Sequence, residues 1–157
     1  MRTIFETPVA LMERAFGLLN RVPLSLLLLF ARCATFSVFF RSGLVKIADW
    51  NATIQLFVNE YKVPVLPPEI AAYLSASMEL GVSSLVLVGF ATRFSVLGLM
   101  GMIAVIQIFV YPMAWPDHIQ WLAFMLFILC RGPGVFSLDY LLGRALGWRQ
   151  TDTGQTA

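Results

Sequence analysis

Charged side chains are scarce in this chain of 157 residues, of which only 13% are Asp, Glu, Lys or Arg. Soluble domains carry about 25% charged and roughly 45–50% apolar residues. Here 59% of the residues are hydrophobic, more than a soluble core of this size can bury without leaving large apolar surface patches. The composition excludes a disordered chain, opposes a soluble globular enzyme, and predicts one domain whose solvent is a lipid bilayer.

Residues with distinctive chemistry are also few. The chain has two cysteines and one histidine, with no Cys-x-x-Cys pair and no His/Cys cluster, so no zinc or thioredoxin-like site can be read. No haem-ligand pair or flavin motif is readable, which favours either a partner that carries electrons or a non-enzymatic role. The net charge is only +2 and the basic residues are scattered, which excludes nucleic acid as a partner.

Four apolar stretches predict an all-α integral membrane protein built as a four-helix bundle. They run over residues 24–47, 69–90, 93–113 and 116–131. The first three have the roughly 20 residues that a membrane-spanning helix needs, whereas the fourth is shorter. Pro and Gly residues separate the stretches, as expected for helix boundaries.

The basic residues outside these stretches predict that both chain termini are cytoplasmic. They fall on one side of the predicted membrane: Arg2, Arg14, Arg21, Arg93, Arg131, Arg144 and Arg149. Lys62 alone lies in the loops on the other side. The predicted organisation is a cytoplasmic segment over 1–23, a four-span domain over 24–142 and a cytoplasmic tail over 143–157. Within the first segment, residues 4–19 predict an amphipathic helix on the membrane surface, with a mobile leader as the alternative.

Ionisable side chains within the apolar stretches are the main clue to a site, because each costs roughly 2.5–3.5 kcal/mol to insert. Glu79 lies about 15 Å below the outer start of its span, and Arg32 about 12 Å above the inner start of the first span. These depths predict an Arg32–Glu79 pair. Arg41 faces away from Arg32 on an ideal helix, since the two are offset by about 180°. The pair has two interpretations: an ion pair that fixes helix packing, or part of a pocket that binds a ligand.

A second group of residues is predicted at the outer end of the spans, around the third loop: Gln107, Tyr111, Met113, Asp117 and His118. There His118 could exchange protons with the outer water. We predict no metal site; Met113 and His118 would be the ligands if a soft metal were bound. The candidate pocket residues are Arg32, Arg41, Lys46, Glu79, Gln107 and His118.

Three sequence blocks, in this order over residues 26–142, resemble the DoxX family. The blocks are Arg32 with Gly43-Leu44-Val45-Lys46, Glu79-Leu80-Gly81 with Gly89 and Arg93, and Gly132-Pro133-Gly134 with Ser137-Leu138-Asp139. One departure is Val82, where many relatives have a second glycine directly after the first.

The resemblance implies an inner (plasma) membrane, multi-pass protein of the DoxX/DoxD group. The relatives that name the group are tied to a membrane thiosulfate:quinone oxidoreductase, others to redox-stress complexes or to metal-responsive operons that encode small cysteine-rich peptides. This favours a small subunit of a membrane redox system that handles a quinone or a sulfur compound beside a redox partner subunit. The cofactor that the resemblance suggests is a quinone. The alternatives are a transporter or binding module for a small solute or metal, and a membrane scaffold for a partner protein. A homo-oligomer and a non-enzymatic role are also open.

Overall fold

A computed structural model of the chain describes residues 3–147, with side chains from Pro8 onward. Within that range the chain forms helices joined by short connections and contains no β-strand. The helices are α1 Thr3–Leu19, α2 Leu24–Ala48, α3 Trp50–Leu56, α4 Pro68–Val88, α5 Thr92–Val110, α6 Trp115–Arg131 and α7 Leu138–Ala145. A π-helical turn over Phe57–Tyr61 continues α3. The predictions made for Arg2, Arg149 and the tail from residue 148 lie outside the described residues.

Three of these helices, α2, α4 and α5, are long and apolar enough to cross a membrane. They coincide with the first three predicted stretches, so the prediction of an all-α protein with membrane-spanning helices is confirmed to that extent. α6 covers the fourth stretch with 17 residues. α5 ends at Val110, before the predicted end at Met113, because Pro112 disfavours the helical conformation at Tyr111. Tyr111 accordingly has φ −129° and ψ 71°.

One apolar core joins α2, α4, α5 and α6. Its fully or almost fully buried members are Ala31, Phe39, Val86, Val96, Leu99, Ile103, Met125 and Ile128. Many other large apolar side chains are exposed, including Phe30, which is 66% exposed, and Phe94, which is 81% exposed. Lipid is the solvent that such a surface favours, since soluble monomers rarely expose contiguous apolar patches of this kind.

Arg32 holds one end of the helices together. Its side chain is only 1% exposed. The guanidinium donates to the carbonyl oxygens of Val86 at 3.0 Å, Pro133 at 2.7 Å and Phe136 at 2.9 Å, and also to that of Leu87. Because the fork of Arg offers five N–H donors, it can satisfy several free carbonyls at once. Arg32 therefore ties α2 to the end of α4 and to the segment that follows α6.

Asp139 stabilises the same end of the molecule by capping the start of α5. Its carboxylate accepts hydrogen bonds from the backbone N–H of Ala91 at 2.7 Å, and from the backbone N–H and the hydroxyl of Thr92 at 2.9 and 2.7 Å. These bonds satisfy free N–H groups at the start of α5, where a negative charge is also favourable. Gly89 ends α4 with φ +72°, and a Cβ there would lie 3.0 Å from the Ser137 backbone, so the close approach requires glycine.

The segment between α2 and α4 is helical over much of its length, which the sequence analysis had not predicted. Asp49 begins α3 as its N-cap and accepts a hydrogen bond from the Ala52 N–H at 2.9 Å. The Thr53 hydroxyl donates to the Lys46 carbonyl at 2.9 Å, so α3 is anchored to the end of α2. This anchoring places the π-helical turn beside the cavity described next.

Candidate functional site: a membrane cavity with a buried ion pair

A cavity of about 680 Å³ is bounded by α2, α4, α5, α6 and the turn after α3. Most of its lining is apolar, contributed by Val, Leu, Ile, Met and Phe side chains. The polar side chains in the wall include two tyrosines, described below, together with Arg41, Ser42, Lys46, Ser75, Glu79 and His118. A volume of roughly 300–1,000 Å³ with a few polar groups in an apolar wall is typical of sites for small organic molecules.

Glu79 forms an ion pair with Lys46 in the wall of this cavity. The Lys46 Nζ lies 2.7 Å from both carboxylate oxygens of Glu79. The two residues are 8% and 3% exposed, and theirs is the only salt bridge among the side chains described over residues 8–147. The predicted Arg32–Glu79 pair is therefore wrong, since Arg32 bonds to backbone carbonyls at the other end of the helices.

Two local features of the backbone bring Lys46 and Glu79 together. Glu79 lies in a π-helical segment of α4, Met78–Val82, which changes the direction of its side chain relative to a regular helix. Gly43 lies opposite, where a Cβ would come 2.7 Å from the Leu80 side chain and 3.1 Å from the Glu79 Cβ. The missing side chain lets α2 approach α4 closely, and the Lys46 side chain reaches the carboxylate from the next turn.

Two serines complete the hydrogen bonding of the pair. Ser42 accepts from the Lys46 Nζ at 3.0 Å and donates to the Glu79 Oε1 at 3.2 Å. Ser75 donates to the same oxygen at 3.5 Å. The network is locally neutral, and within the described residues no buried side-chain nitrogen or oxygen lacks a hydrogen-bond partner. A satisfied network of this kind tolerates a low-dielectric surrounding, whereas an unpaired charge there would be costly.

Arg41 adds a positive charge to the cavity wall that the ion pair does not neutralise. Its side chain lines the cavity and is exposed. Among the residues that the structure describes, none accepts a hydrogen bond or forms a salt bridge with it. The guanidinium of Arg41, one of the candidate pocket residues, is therefore available to an oxygen atom of a bound molecule.

His118 also lines the cavity and is 3% exposed. Its Nδ1 lies 2.5 Å from the Oε1 of Gln107, whose Nε2 donates to the Pro112 carbonyl at 2.7 Å. The imidazole packs against the Trp121 ring at a centroid distance of 5.2 Å. The hydrogen bond from His118 to Gln107 thus fixes the orientation of the imidazole ring.

No metal site is formed by this arrangement within the described residues. Met113 is 92% exposed and does not line the cavity, so it does not join His118. No group of three or more His, Cys, Asp or Glu side chains lies close together in residues 8–147.

Two tyrosines form a polar edge of the cavity next to the turn after α3. The Tyr111 hydroxyl donates to the Glu60 carboxylate, and the rings of Tyr61 and Tyr111 meet edge to face at 5.6 Å. The hydrogen bond to Glu60, followed by burial, raises the pKa of Tyr111. Burial is the main cause that raises the pKa of Tyr61. The sequence analysis did not predict a role for Tyr61 or Glu60. The signal that could have indicated them is the N-cap at Asp49, because it predicts a helix through this loop.

The predicted site residues therefore separate into three groups. Arg41, Lys46, Glu79 and His118 line one cavity. Gln107 supports His118 from outside the wall, and Arg32 lies away from the cavity.

The fold is that of a helical membrane protein with a cavity of about 680 Å³ between its helices. A family model described as DoxX matches residues 27–112, more than half of the 157-residue chain. The chain therefore belongs to the DoxX family, and the predicted membership is confirmed. The match covers α2 to α5 with the Lys46–Glu79 pair and ends before α6 and His118. No curated protein and no solved structure matches the chain.

Proposed function

We propose that this protein binds a quinone-class molecule in its cavity and serves as a small membrane subunit of a redox system. The observation that carries the proposal is the cavity itself. Its wall is apolar enough for a lipid-soluble ring, and Arg41 and His118 offer polar atoms at its surface. A small hydrated anion such as thiosulfate needs several donors to replace its water, and Lys46 is already engaged by Glu79 and Ser42. The apolar wall therefore favours the quinone over the sulfur compound.

The proposed setting is the plasma membrane, crossed four times with both termini inside. α6 is the fourth span of this proposal: its 17 residues reach about 25 Å, and a local thinning of the bilayer or flanking side chains accommodate the difference from about 30 Å. Support for the orientation comes from Arg93 and Arg131, which begin α5 and end α6 at the end of the helices closed by Asp139. Lys62 follows the turn after α3, at the opposite end.

A partner subunit completes the proposed redox system. The resemblance to relatives of a thiosulfate:quinone oxidoreductase is the ground for this part, and the partner would supply the electron carrier. In that arrangement the present chain binds the ring, excludes water from it and orients its oxygens. The experiments below also have outcomes that would favour other roles for the chain. These roles are a homo-oligomer, a transporter of a small solute and a scaffold.

Binding of decylubiquinone to the detergent-purified protein tests the proposal. Gly101 lines the cavity, and a Cβ at this position meets no atom within 4 Å, so Gly101→Leu should fill space without removing a polar group. The matched control is Gly81→Leu, since Gly81 also has open space at its Cβ but does not line the cavity. Isothermal titration calorimetry should give similar Kd values for the wild type and Gly81→Leu. Gly101→Leu should weaken binding by about tenfold or more, since crowding a packed site costs about 1–3 kcal/mol.

Two results would contradict the proposal. The first is no saturable binding of decylubiquinone to the wild-type protein. The second is binding that Gly101→Leu and Gly81→Leu leave equally unchanged, which would place the molecule on the lipid-facing surface instead of in the cavity.

A further inference from the structure

The hydrogen bonds around Gln107 determine which nitrogen of His118 carries a hydrogen. The Gln107 Nε2 donates to the Pro112 carbonyl at 2.7 Å, and reversing the amide would set two acceptor oxygens against each other. The Oε1 of Gln107 therefore faces the Nδ1 of His118, which must be the donor. In a neutral imidazole the other nitrogen, Nε2, then bears a lone pair and acts only as an acceptor.

His118 lines the cavity, and Nε2 is the ring nitrogen that Gln107 leaves free. No residue within 8–147 bonds to Nε2. Since no buried side-chain nitrogen in that range lacks a hydrogen-bond partner, the atom is not sealed off by its neighbours. His118 as a whole is 3% exposed, and the open space beside it is the cavity that it lines. The side chain thus presents one unpaired acceptor atom to whatever occupies the cavity.

We propose that His118 makes the cavity selective for the reduced, hydroxyl-bearing form of its ring ligand. This inference rests on the proposed function, the binding of a quinone-class molecule. A quinol hydroxyl donates a hydrogen bond to Nε2, whereas a quinone carbonyl has only lone pairs and meets the lone pair of the nitrogen. Arg41 is a donor and binds the oxygen of either form. His118 therefore distinguishes the two oxidation states, and Arg41 does not.

The single histidine of the chain permits a direct spectroscopic test. Protein labelled with ¹⁵N-histidine and purified through a histidine-free tag gives ring signals from His118 alone. For neutral His118 we expect a protonated Nδ1 and a bare Nε2, and decylubiquinol under argon should shift the Nε2 signal while decylubiquinone leaves it in place. A protonated Nε2 in the neutral ring, or equal shifts with both probes, would overturn the inference.

Binding measurements with two variants provide a second test. The wild type should bind decylubiquinol about fivefold more tightly than decylubiquinone, the effect of one neutral hydrogen bond. His118→Asn keeps a donor for Gln107 but has no atom at the place of Nε2, so the preference should disappear. Arg41→Leu should weaken both probes by the same factor and keep the preference.

The outcomes separate this inference from the proposed function. If neither probe binds to the wild type, both are overturned. If both probes bind in the cavity with equal affinity, or if His118→Asn keeps the fivefold ratio, the selectivity is refuted while quinone binding stands.

Discussion

The ion pair between Lys46 and Glu79 should matter for stability chiefly because removing one partner would leave the other as a buried charge without a counterion. In Lys46→Met the carboxylate of Glu79, now 3% exposed and held at 2.7 Å by the amine through both oxygens, would lose its counterion in an apolar wall. Removing one partner of a buried pair costs about 3–5 kcal/mol. We expect the free energy of unfolding of Lys46→Met to fall by about that amount.

The double variant Lys46→Met with Glu79→Gln separates the pair from the individual residues. With both charges gone no ion is left unpaired, so the loss should shrink to about 1–2 kcal/mol, and the double-mutant cycle should show strong coupling. The assay is reversible unfolding in mixed micelles titrated with a denaturing detergent. Arg41→Met is the matched control, since the same kind of change at an unpaired cation should cost less than about 1 kcal/mol. A single variant as stable as this control, or simple additivity in the cycle, would refute the reasoning.

Three further results are expected. Arg32→Lys should lower the free energy of unfolding by about 2–4 kcal/mol in the same assay, because an ammonium cannot reach the carbonyls that the guanidinium fork joins; a stability equal to wild type would contradict this. Asp139→Ala should cost about 1–2 kcal/mol through the lost cap of α5, and hydrogen exchange at Thr92 should become faster; unchanged exchange would argue against the cap. The stability difference between the wild type and Tyr111→Phe should be constant below about pH 10 and shrink above it. The sign follows from the raised pKa of Tyr111, since the unfolded tyrosine ionises first; a difference that grows above pH 10 would be the opposite of this expectation.

Local sequence signals predicted the helices well where they depend on apolar length and on breaking residues. α2 begins directly after Pro23, α4 ends directly before Gly89, and α6 ends directly before Gly132, all features that a sequence displays. The helix after Asp49 was not predicted, because Pro64, Pro67 and Pro68 mark this segment as a loop, although the N-cap was readable.

The partner of Glu79 could not be predicted because it depends on how the backbones approach each other. Depth along ideal helices favoured Arg32, but the π-helical segment at Met78–Val82 and the close approach at Gly43 direct Glu79 to Lys46. The acceptors of Arg32 include the carbonyls of Pro133 and Phe136, about a hundred positions away in sequence. Because every residue has a backbone carbonyl, the sequence does not show which carbonyls a side chain will bind. By contrast, the grouping of Gln107 with His118 could be predicted, since the two residues flank the short connection between α5 and α6.

Native mass spectrometry of the protein, extracted in a mild detergent from its own membranes, tests the central claim most directly. The account predicts that a quinone-sized molecule stays bound to the wild type, is depleted in Gly101→Leu and is kept in Gly81→Leu. A second polypeptide that carries an electron-transfer group would support the proposed redox system. Protein that carries only lipid, in equal amount in all three forms, would contradict the account.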